Sequence, residues 1–477
     1  MNSHPLIIDL DGTLIYSDML HESALRMLRD RPLSLGRLPF WLMGGRANLK
    51  YKLAQGNAFD VASLPYNMPL LDWLRQQKAS GRVLILCTAS DRSIANAIAQ
   101  HLDIFDEVMA SDGQVNLAGR HKAAALTQRF GAGGYDYVGN SSADLAVWEH
   151  ARQAVVVNAT AGLATAAARL CEVERVFPAP VRGFTAWRRV LRVHQWMKNL
   201  LLFVPLLAGH QLLDTEALGA LLLAFVSFSL CASTVYIAND LLDLESDRAH
   251  PRKCNRPFAS GVVPAWMGVV VAPLLLLASI ALACLVGPVF LSWLLVYFLL
   301  TCLYSFVLKR LMLVDCLTLA VLYTLRIIAG AAAAGQILSF WLLAFSVFLF
   351  LSLAFVKRYA ELQGQMLSGK QKIHGRGYLT SDAPLIQMLG ISSGYAATVV
   401  LALYLNSDAV LMLYRTPEMV WGAVPVMLFW VSWIWIRAHR GEMHDDPLIF
   451  AVKDKASLMA GVVFALVLVA GTVSWPW

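Results

Sequence analysis

The sequence predicts two domains of different class: an N-terminal α/β domain with a Rossmann-like parallel sheet and a small helical cap, and a C-terminal all-α polytopic domain of about nine transmembrane helices. The 477 residues are 58% hydrophobic and 15% charged, with a mean hydropathy of +0.57. That is too apolar for a soluble protein of this length. Residues 1 to about 180 are mixed in character, whereas apolar runs of membrane-spanning length recur from about 197 onward.

Four short apolar segments of the first part have the length and composition of β-strands. They are residues 6–8, 83–87, 136–138 and 154–157. Helical stretches separate them, which indicates parallel strands joined by crossover helices. Residues 16 to about 75 are largely helical and are expected to form the cap. Because functional groups gather at the carboxyl ends of such strands, the residues that follow them are candidates for chemistry.

Polar residues follow three of these strands in an ordered series. Residues 9–13 (DLDGT) follow the first strand, Thr88 follows the second, and residues 139–144 (GNSSAD) follow the third, with Lys122 between the last two. Taken together and in this order, the series resembles the haloacid dehalogenase superfamily over residues 1 to about 175. The resemblance implies a phosphatase fold for the N-terminal domain.

The resemblance also implies roles for these side chains. Asp9 would be the nucleophile that forms an aspartyl-phosphate, and Asp11 would be the general acid and base. Thr88 would hydrogen-bond the phosphoryl group, and Lys122 would neutralise its charge. Asp9, Asp11 and Asp144 would form the Mg²⁺ site.

One position departs from the superfamily pattern. Asn140 stands where the family usually has an acid, so one carboxylate of the Mg²⁺ site is missing. Asparagine can ligate through its carbonyl oxygen but brings no charge. Two alternatives follow: an active phosphatase, favoured by the intact nucleophile and acid/base, or a catalytically weak domain with a regulatory or scaffolding role.

Charge and cysteine usage exclude several classes of protein. The net charge of +7 comes mostly from Lys and Arg that flank apolar runs, which indicates membrane topology, and no basic-aromatic patch of the nucleic-acid-binding type is present. None of the seven cysteines forms a CxxC pair, so we expect buried thiols and neither a zinc site nor a disulfide framework. The first residues lack the pattern of a signal peptide, and we expect a cytoplasmic N-terminal domain.

The sequence Pro178-Ala-Pro180 marks the expected boundary between the domains. We expect a phosphatase-like domain over 1–178, a basic amphipathic linker over 179–198 at the cytoplasmic surface, and a membrane domain over 199–477. The nine predicted spans are 199–213, 217–239, 265–284, 287–307, 312–334, 338–356, 385–406, 420–437 and 457–475.

Charged residues collect at alternate ends of these spans, as expected when those loops face the cytoplasm of a bacterial-type inner membrane. Four loops, which follow the second, fourth, sixth and eighth predicted spans, contain most of these cations. They are Arg248, Arg252, Lys253, Arg256, Lys309, Arg310, Lys357, Arg358, Lys370, Lys372, Arg376, Arg437, Arg440, Lys453 and Lys455. Further acids on the same side are Asp315, Glu361, Asp445, Asp446 and Asp454. Acids and bases together suit a phosphate-rich ligand held through a metal.

The second predicted span ends in a run of acids that we call the acidic segment, residues 239–248 (NDLLDLESDR). Asp240, Asp243 and Asp247 stand at i, i+3 and i+7, which places all three on one face of a helix. Carboxylates at membrane depth are costly and are functional candidates by default. Carboxylate oxygens on one face suit Mg²⁺, which binds one or two carboxylates together with substrate phosphates.

The acidic segment resembles the UbiA superfamily of intramembrane prenyltransferases over about 185–477. Four further stretches resemble the branch that contains the decaprenyl-phosphate phosphoribosyltransferases: residues 191–199, 247–257, 304–309 and 357–362. The resemblance implies transfer of 5-phosphoribose from phosphoribosyl pyrophosphate to a polyprenyl phosphate, with Mg²⁺ on Asp240, Asp243 and Asp247, of which the first two are expected to be catalytic. The expected substrate-binding residues are Asn239, Lys198, Arg252, Lys253, Arg256, Tyr304, Lys309, Lys357, Arg358 and Glu361.

Two other hypotheses remain open at the level of sequence. The acids could instead bind the prenyl diphosphate of an ordinary prenyltransferase with an aromatic or other acceptor. The chain could also be a membrane-anchored regulatory module with an inactive soluble domain. If the chain instead transfers phosphoribose, the N-terminal domain would remove the 5-phosphate of the lipid product, because the two domains share one chain.

Overall fold

The computed structural model describes residues 4–55, 60–112, 114–180, 183–211, 213–369, 376–443 and 446–474. The predicted loop residues Lys370, Lys372 and Asp445 lie outside these ranges. The chain forms two compact units. The first unit contains Met1–Leu191 and Tyr236–Pro273, and the second contains Arg192–Val235 and Leu274–Trp477. The acidic segment thus belongs, by its contacts, to the same unit as the N-terminal domain.

A six-stranded parallel sheet forms the centre of the first unit, in the order β3-β2-β1-β4-β5-β6. The strands are β1 Leu6–Ile8, β2 Leu84–Asp91, β3 Glu107–Ser111, β4 Asp136–Gly139, β5 Gln153–Ala159 and β6 Glu172–Pro178. In the register, Ile8 lies opposite Leu86 on one side and Val138 on the other. The four predicted strands are confirmed. The strands β3 and β6, at the two edges, were not predicted.

Helices cover both faces of this sheet. They are α1 Met19–Asp30, α2 Leu38–Met43, α3 Gly45–Gln55, α4 Met68–Ala79, α5 Arg92–Leu102, α6 Arg120–Phe130, α7 Leu145–Trp148, α8 Ala161–Ala168 and α9 Phe184–Val190. Leu6 and Ile8 are buried in one apolar cluster and Ile7 in another, because successive side chains of a strand point to opposite faces. The helices α1 to α3 lie in the predicted cap region between β1 and β2.

The remaining helices contain the apolar runs of the chain. They are α10 Val204–Ala208, α11 Thr215–Leu242, α12 Leu244–Arg248, α13 Ala265–Val286, α14 Pro288–Phe306, α15 Val314–Ala333, α16 Phe340–Leu367, α17 Ala383–Leu405, α18 Asp408–Leu411, α19 Pro417–Val420, α20 Ala423–His439, α21 Pro447–Lys453 and α22 Lys455–Thr472. Many large apolar side chains of these helices are exposed, among them Leu299 and Val462, as expected of surfaces that contact lipid.

Eight helical segments in the described part of the chain are long and apolar enough to cross a membrane. They are Thr215–Leu242, Ala265–Val286, Pro288–Phe306, Val314–Ala333, Phe340–Leu367, Thr380–Leu405, Pro417–His439 and Lys455–Thr472. Eight of the nine predicted spans correspond to these segments. The prediction of a span over 199–213 is wrong: this stretch continues a 3₁₀-helix, Val193–Phe203, into the short α10. Pro205 lacks the N–H of a helix interior, and Gly209 ends α10.

Candidate functional sites

The nucleophile predicted in the N-terminal unit lies at the carboxyl end of the central strand. Asp9 follows β1 and is buried, and the ammonium Nζ of Lys122, from α6, lies 2.6 Å from its Oδ1 atom. Thr88, near the end of the adjacent strand β2, is fully buried, and its Oγ1 atom accepts a hydrogen bond of 3.0 Å from the backbone N–H of Ser90. Burial raises the pKa of Asp9 although Lys122 opposes the rise.

Two hydrogen bonds fix the carboxylate of Asp11. The hydroxyl of Ser90 donates to Oδ2 at 2.6 Å, and the backbone N–H of Met19, the first residue of α1, donates to Oδ1 at 2.8 Å. Burial, followed by the charges of Asp18 and Asp9, raises the pKa of Asp11 to about 7. A carboxyl group with a pKa near neutrality suits the general acid and base of a phosphatase.

A chain of buried hydrogen bonds connects Lys122 to the turn after β4. The Nζ atom of Lys122 donates to the Oη of Tyr137 at 2.9 Å, and Tyr137 donates to Asp144 Oδ1 at 2.8 Å. The other oxygen, Oδ2, accepts from the backbone N–H groups of Asn140 and Ser141 and from the Ser141 hydroxyl, at 2.9 to 3.0 Å. Asp144 therefore orients the turn and the lysine. Its role as a direct Mg²⁺ ligand stays a prediction.

The structure brings Asn140 against the DLDGT loop. Gly12 has a φ of +73°, and a Cβ added there would lie 2.1 Å from the Asn140 amide nitrogen, so this close approach requires glycine at position 12. The side chain of Asn140 follows β4, the neighbour of β1 in the sheet. Its amide oxygen and the Asp9 carboxylate are oxygen donors of the kind that Mg²⁺ prefers.

The acidic segment does not form one continuous helix. Helix α11 ends at Leu242, and Asp243 stands at the break before α12 with a φ of −96° and a ψ of 11°. The helix is therefore interrupted at Asp243, which is half-buried, although the backbone N–H groups of Asp243 and Asp247 still donate to the carbonyls of Asn239 and Asp243. That the three acids share one face stays a prediction. Asp240 and Asp247 are both buried.

Arg256 joins the two buried acids of this segment. Its Nη1 atom lies 3.0 Å from Asp240 Oδ1 and 2.5 Å from Asp247 Oδ2. Burial raises the pKa of Asp247 above its ordinary value although Arg256 opposes the rise. Two carboxylates that converge on one guanidinium form a compact charged group next to the membrane-spanning part of α11.

The same two acids have the chemistry to hold a divalent cation. Within the described residues, no group of three or more His, Cys, Asp or Glu side chains is arranged as a metal site. Among the described residues, however, Asp247 Oδ1 is buried without a hydrogen-bond partner, and Lys253 Nζ lies 3.9 Å from it. A buried carboxylate oxygen without a partner is costly. This oxygen therefore fits a ligand that adds positive charge, as Mg²⁺ bound to a pyrophosphate would.

The second unit contains a cluster of buried charges. Lys198 Nζ lies 2.7 Å from Asp446 Oδ2, and Lys357 Nζ lies 3.4 Å from the same oxygen. Burial alone would raise the pKa of Asp446, but the two ammonium groups hold it below its ordinary value. The hydroxyl of Tyr323 lies 3.3 Å from Asp446, and its ring lies 5.6 Å from Lys198 Nζ.

A third cation, Arg326, also lies near Tyr323. It is buried, donates to Asn199 Oδ1 and to the hydroxyl of Tyr297 at 3.0 Å each, and lies 5.5 Å from the Tyr323 ring. These groups are all uncharged. We call Lys198, Lys357 and Arg326 the cation cluster. Among the described residues, the carboxylates that act on these three cations are those of Asp446 and, through Lys357, Glu361. Positive charge is in excess, so the cluster favours an anionic ligand.

Arg358 lies in a separate, balanced network of the second unit. It pairs with Asp315 at 2.6 Å and with Glu361, and Arg376 lies 3.3 Å from Asp315 and 3.4 Å from Glu361. Arg376 also donates to the hydroxyl of Tyr304 at 3.4 Å. Among the described residues, two cations face two acids, so this network joins several helix ends with its charges balanced.

Family models match both parts of the chain. Residues 6–149 match the model described as haloacid dehalogenase-like hydrolase. Residues 200–462, more than half of the chain, match the model described as UbiA prenyltransferase family. The chain belongs to the UbiA prenyltransferase family. Its N-terminal part is a haloacid dehalogenase-like domain, and both predicted resemblances are confirmed.

Relatives of this UbiA-family protein differ in how much of the chain they cover. An uncharacterized protein of Sinorhizobium fredii, y4nM, is 39% identical over 464 residues, which cover 97% of this chain and 90% of the relative. The two domains therefore occur together in that protein. The decaprenyl-phosphate phosphoribosyltransferase of Mycolicibacterium smegmatis is 32% identical and covers 56% of this chain and 86% of its own. A solved UbiA homologue from Archaeoglobus fulgidus, bound to GPP and Mg²⁺, is 16% identical with a TM-score of 0.46, covering 60% of this chain and 98% of its own.

The structure gathers some of the predicted site residues of this UbiA-family protein and separates others. Asp9 and Lys122 lie in contact, and so do Asp240, Asp247 and Arg256. Arg252 and Lys253 are exposed. The sites also contain residues that sequence reasoning missed. Tyr137 resembles an ordinary core residue of a strand, whereas Arg326 stands within an apolar run, where a charge is costly, and could have been singled out.

An Asn140→Asp substitution is expected to strengthen Mg²⁺ binding by the haloacid dehalogenase-like domain. The carboxylate has the shape of the amide, so it fits beside Gly12, and it supplies the missing negative charge. We expect the Mg²⁺ concentration for half-maximal hydrolysis of p-nitrophenyl phosphate to fall about tenfold. An Asn140→Ala variant, which removes the oxygen donor, should move in the opposite direction. Equal Mg²⁺ requirements in all three proteins would contradict this assignment.

Proposed function

We propose that this protein transfers 5-phosphoribose from phosphoribosyl pyrophosphate to a polyprenyl phosphate at the cytoplasmic membrane face, and that its N-terminal domain then removes the 5-phosphate of the lipid product. The convergence of Asp240, Asp247 and Arg256, with one carboxylate oxygen left without a partner, is the observation that carries the proposal. The two carboxylates would bind a pyrophosphate oxygen through Mg²⁺, and the guanidinium of Arg256 would bind a pyrophosphate oxygen directly. The name of the Mycolicibacterium smegmatis relative supports this donor and acceptor.

The donor's pyrophosphate is bound through the acidic segment. Asp240 and Asp247 would hold Mg²⁺, which, when bound, stabilises the charge that develops on the leaving pyrophosphate. Arg256 is placed by these acids to donate hydrogen bonds to pyrophosphate oxygens. The exposed Arg252 and Lys253 are candidates for the donor's 5-phosphate.

The phosphate of the lipid is the attacking group of the proposed transfer. An oxygen of the lipid phosphate forms a bond to C1 of the ribose, while the bond between C1 and the pyrophosphate oxygen breaks. Pyrophosphate leaves, and the product is a polyprenyl-phosphoryl ribose that retains its 5-phosphate.

The haloacid dehalogenase-like domain acts on that 5-phosphate. A carboxylate oxygen of Asp9 attacks phosphorus, the bond from phosphorus to the ribose oxygen breaks, and Asp11 gives its proton to that oxygen. Lys122, at 2.6 Å from Asp9, neutralises the transferred group. Water then hydrolyses the aspartyl-phosphate, with Asp11 as the base, and inorganic phosphate is released. Because the domains share one chain, the product is present at a high effective concentration.

The test uses the full-length protein in nanodiscs with Mg²⁺, phosphoribosyl pyrophosphate and a polyprenyl phosphate. We expect equal amounts of pyrophosphate and inorganic phosphate, and a lipid whose intact mass corresponds to polyprenyl-phosphoryl ribose. A parallel reaction contains a prenyl diphosphate and an aromatic acceptor. Consumption of the prenyl diphosphate alone would replace this proposal with an ordinary prenyltransferase activity. If the protein consumes neither donor, the remaining alternative is a regulatory module, in which alanine at Asp240 and Asp243 would leave every activity unchanged.

A further inference from the structure

Helix α1 of the haloacid dehalogenase-like domain contacts the acidic segment within the first unit. The guanidinium of Arg248, in α12, pairs with the carboxylate of Glu22, in α1, through two hydrogen bonds of 2.7 and 3.1 Å. Both side chains are almost fully buried, at 6% and 8% exposed. These residues are 226 positions apart in the sequence, so the contact is not a consequence of local helix formation.

Further ion pairs extend this contact along α1. Arg26 and Arg29 lie 2.6 and 3.0 Å from the two carboxylate oxygens of Glu245, which is also in α12. Helix α12 has only five residues and is too short to be stable by itself. Its position therefore depends on what it packs against.

Backbone packing fixes the same segment at a second place. The Nε of Arg248 donates to the carbonyl of Ala259 at 3.0 Å, which ties α12 to the following loop. In that loop, a Cβ on Gly261 would lie 2.4 Å from the Cβ of Tyr16, just after the DLDGT motif. Apolar side chains lie between the ion pairs and line a small cleft, namely Leu25, Leu64, Leu241 and Leu244.

We infer that α1 is a positioning element for the transferase: Glu22, Arg26 and Arg29 hold α12 so that Asp247, next to Arg248, keeps its partner-free oxygen directed at the donor's metal. The N-terminal domain then has a structural role in donor binding in addition to its own chemistry. This inference rests on the proposed function, in which Asp247 binds that metal. It assigns Glu22 and Arg248 as positioning residues that contact no substrate.

The experiment compares the full-length wild type with Glu22→Gln, Arg248→Gln and the charge-exchanged Glu22→Arg/Arg248→Glu protein. Each single change leaves a buried charge without its partner. We expect the Mg²⁺ concentration for half-maximal pyrophosphate release, and the KM for phosphoribosyl pyrophosphate, to rise about tenfold or more in the single variants, with a smaller change in kcat. The exchanged protein should recover most of the loss because the pair is restored.

Two readouts do not depend on activity. Hydrogen exchange of amides 244–248 should accelerate in the single variants and slow again in the exchanged protein. Mn²⁺ binding, followed by electron paramagnetic resonance, should weaken and recover in parallel. The matched control is Asp72→Asn, which breaks an exposed ion pair with Arg75 in α4 of the same domain and should match the wild type in every measurement.

The results of these measurements distinguish a failure of this inference from a failure of the proposed function. Unchanged exchange and unchanged Mn²⁺ affinity in Glu22→Gln and Arg248→Gln would overturn the positioning role, whatever the transferase does. A wild type that does not consume phosphoribosyl pyrophosphate would overturn the proposed function, while the exchange and Mn²⁺ measurements would still decide whether α1 holds the acids in place. Recovery only in the exchanged protein supports the direct contact, because a general loss of folding would not be reversed by reversing two charges.

Discussion

Replacing Asp247 with asparagine is expected to lower the rate of pyrophosphate release from phosphoribosyl pyrophosphate by about a hundredfold or more. The substitution keeps the volume of the side chain but removes the charge of the oxygen that has no hydrogen-bond partner in the described part of the chain. Asp240 then remains as the only buried carboxylate of the pair joined by Arg256. The measurement is initial pyrophosphate release by the full-length protein over a range of Mg²⁺ concentrations.

Two comparisons make this result specific. Ser246→Ala changes an exposed residue of the same short helix and should leave the rate unchanged. Asp243→Asn changes the half-buried acid at the helix break and should have a smaller effect than Asp247→Asn, since Arg256 pairs with Asp240 and Asp247. If Asp247→Asn retains the wild-type rate and Mg²⁺ dependence, the acidic segment does not hold the donor.

The sheet was predictable where the strands are buried on both faces. The central strands β1, β2, β4 and β5 are runs of apolar residues, as expected of parallel strands covered on both faces. The edge strand β6 contains Glu172, Glu174 and Arg175 and is largely exposed. Charged edge strands lack the apolar pattern that sequence reasoning uses, which is why β6 escaped prediction.

The membrane helices were predictable from length and apolarity, with one informative failure. Residues 199–213 are apolar enough to suggest a span, but Asn199 and Pro205 interrupt them. The amide of Asn199 donates to Ser229 and accepts from Arg326, both within the second unit. Asn199 makes these polar contacts from within the 3₁₀-helix Val193–Phe203, and apolarity alone does not report them.

Contacts between distant parts of the chain were the least predictable feature of the sites. Asp9 and Lys122 were identified through a resemblance to a family in which the matching residues act on the same phosphoryl group, so their proximity was implied. No comparable pattern connects Glu22 with Arg248, because each reads in the sequence as an ordinary charge on a helix surface. Their pairing follows from the packing of α1 against α12, which only the three-dimensional structure reports.

Replacing Asp9 with asparagine is expected to stop phosphate release while pyrophosphate release continues. The amide has nearly the shape of the carboxylate but is not a nucleophile, so no aspartyl-phosphate forms, and we expect phosphate release to fall about a thousandfold or more. The lipid product should then be heavier than the wild-type product by one phosphoryl group. Intact-mass analysis of the extracted lipid, together with separate pyrophosphate and phosphate assays, measures both effects in one reaction.

The isosteric control is Asp103→Asn, in the same domain. Asp103 is exposed and has a φ of 52°, a conformation that asparagine also tolerates, so this variant should give the wild-type product. Identical lipid masses from Asp9→Asn and the wild type would show that the N-terminal domain does not act on the product. The domain would then contribute to the transferase only by positioning α12 through α1. In that role, it does not matter that Asn140 stands where the family usually has an acid. A phosphorylated lipid from Asp9→Asn would instead place both reactions in one chain and in a fixed order, with transfer first and dephosphorylation second.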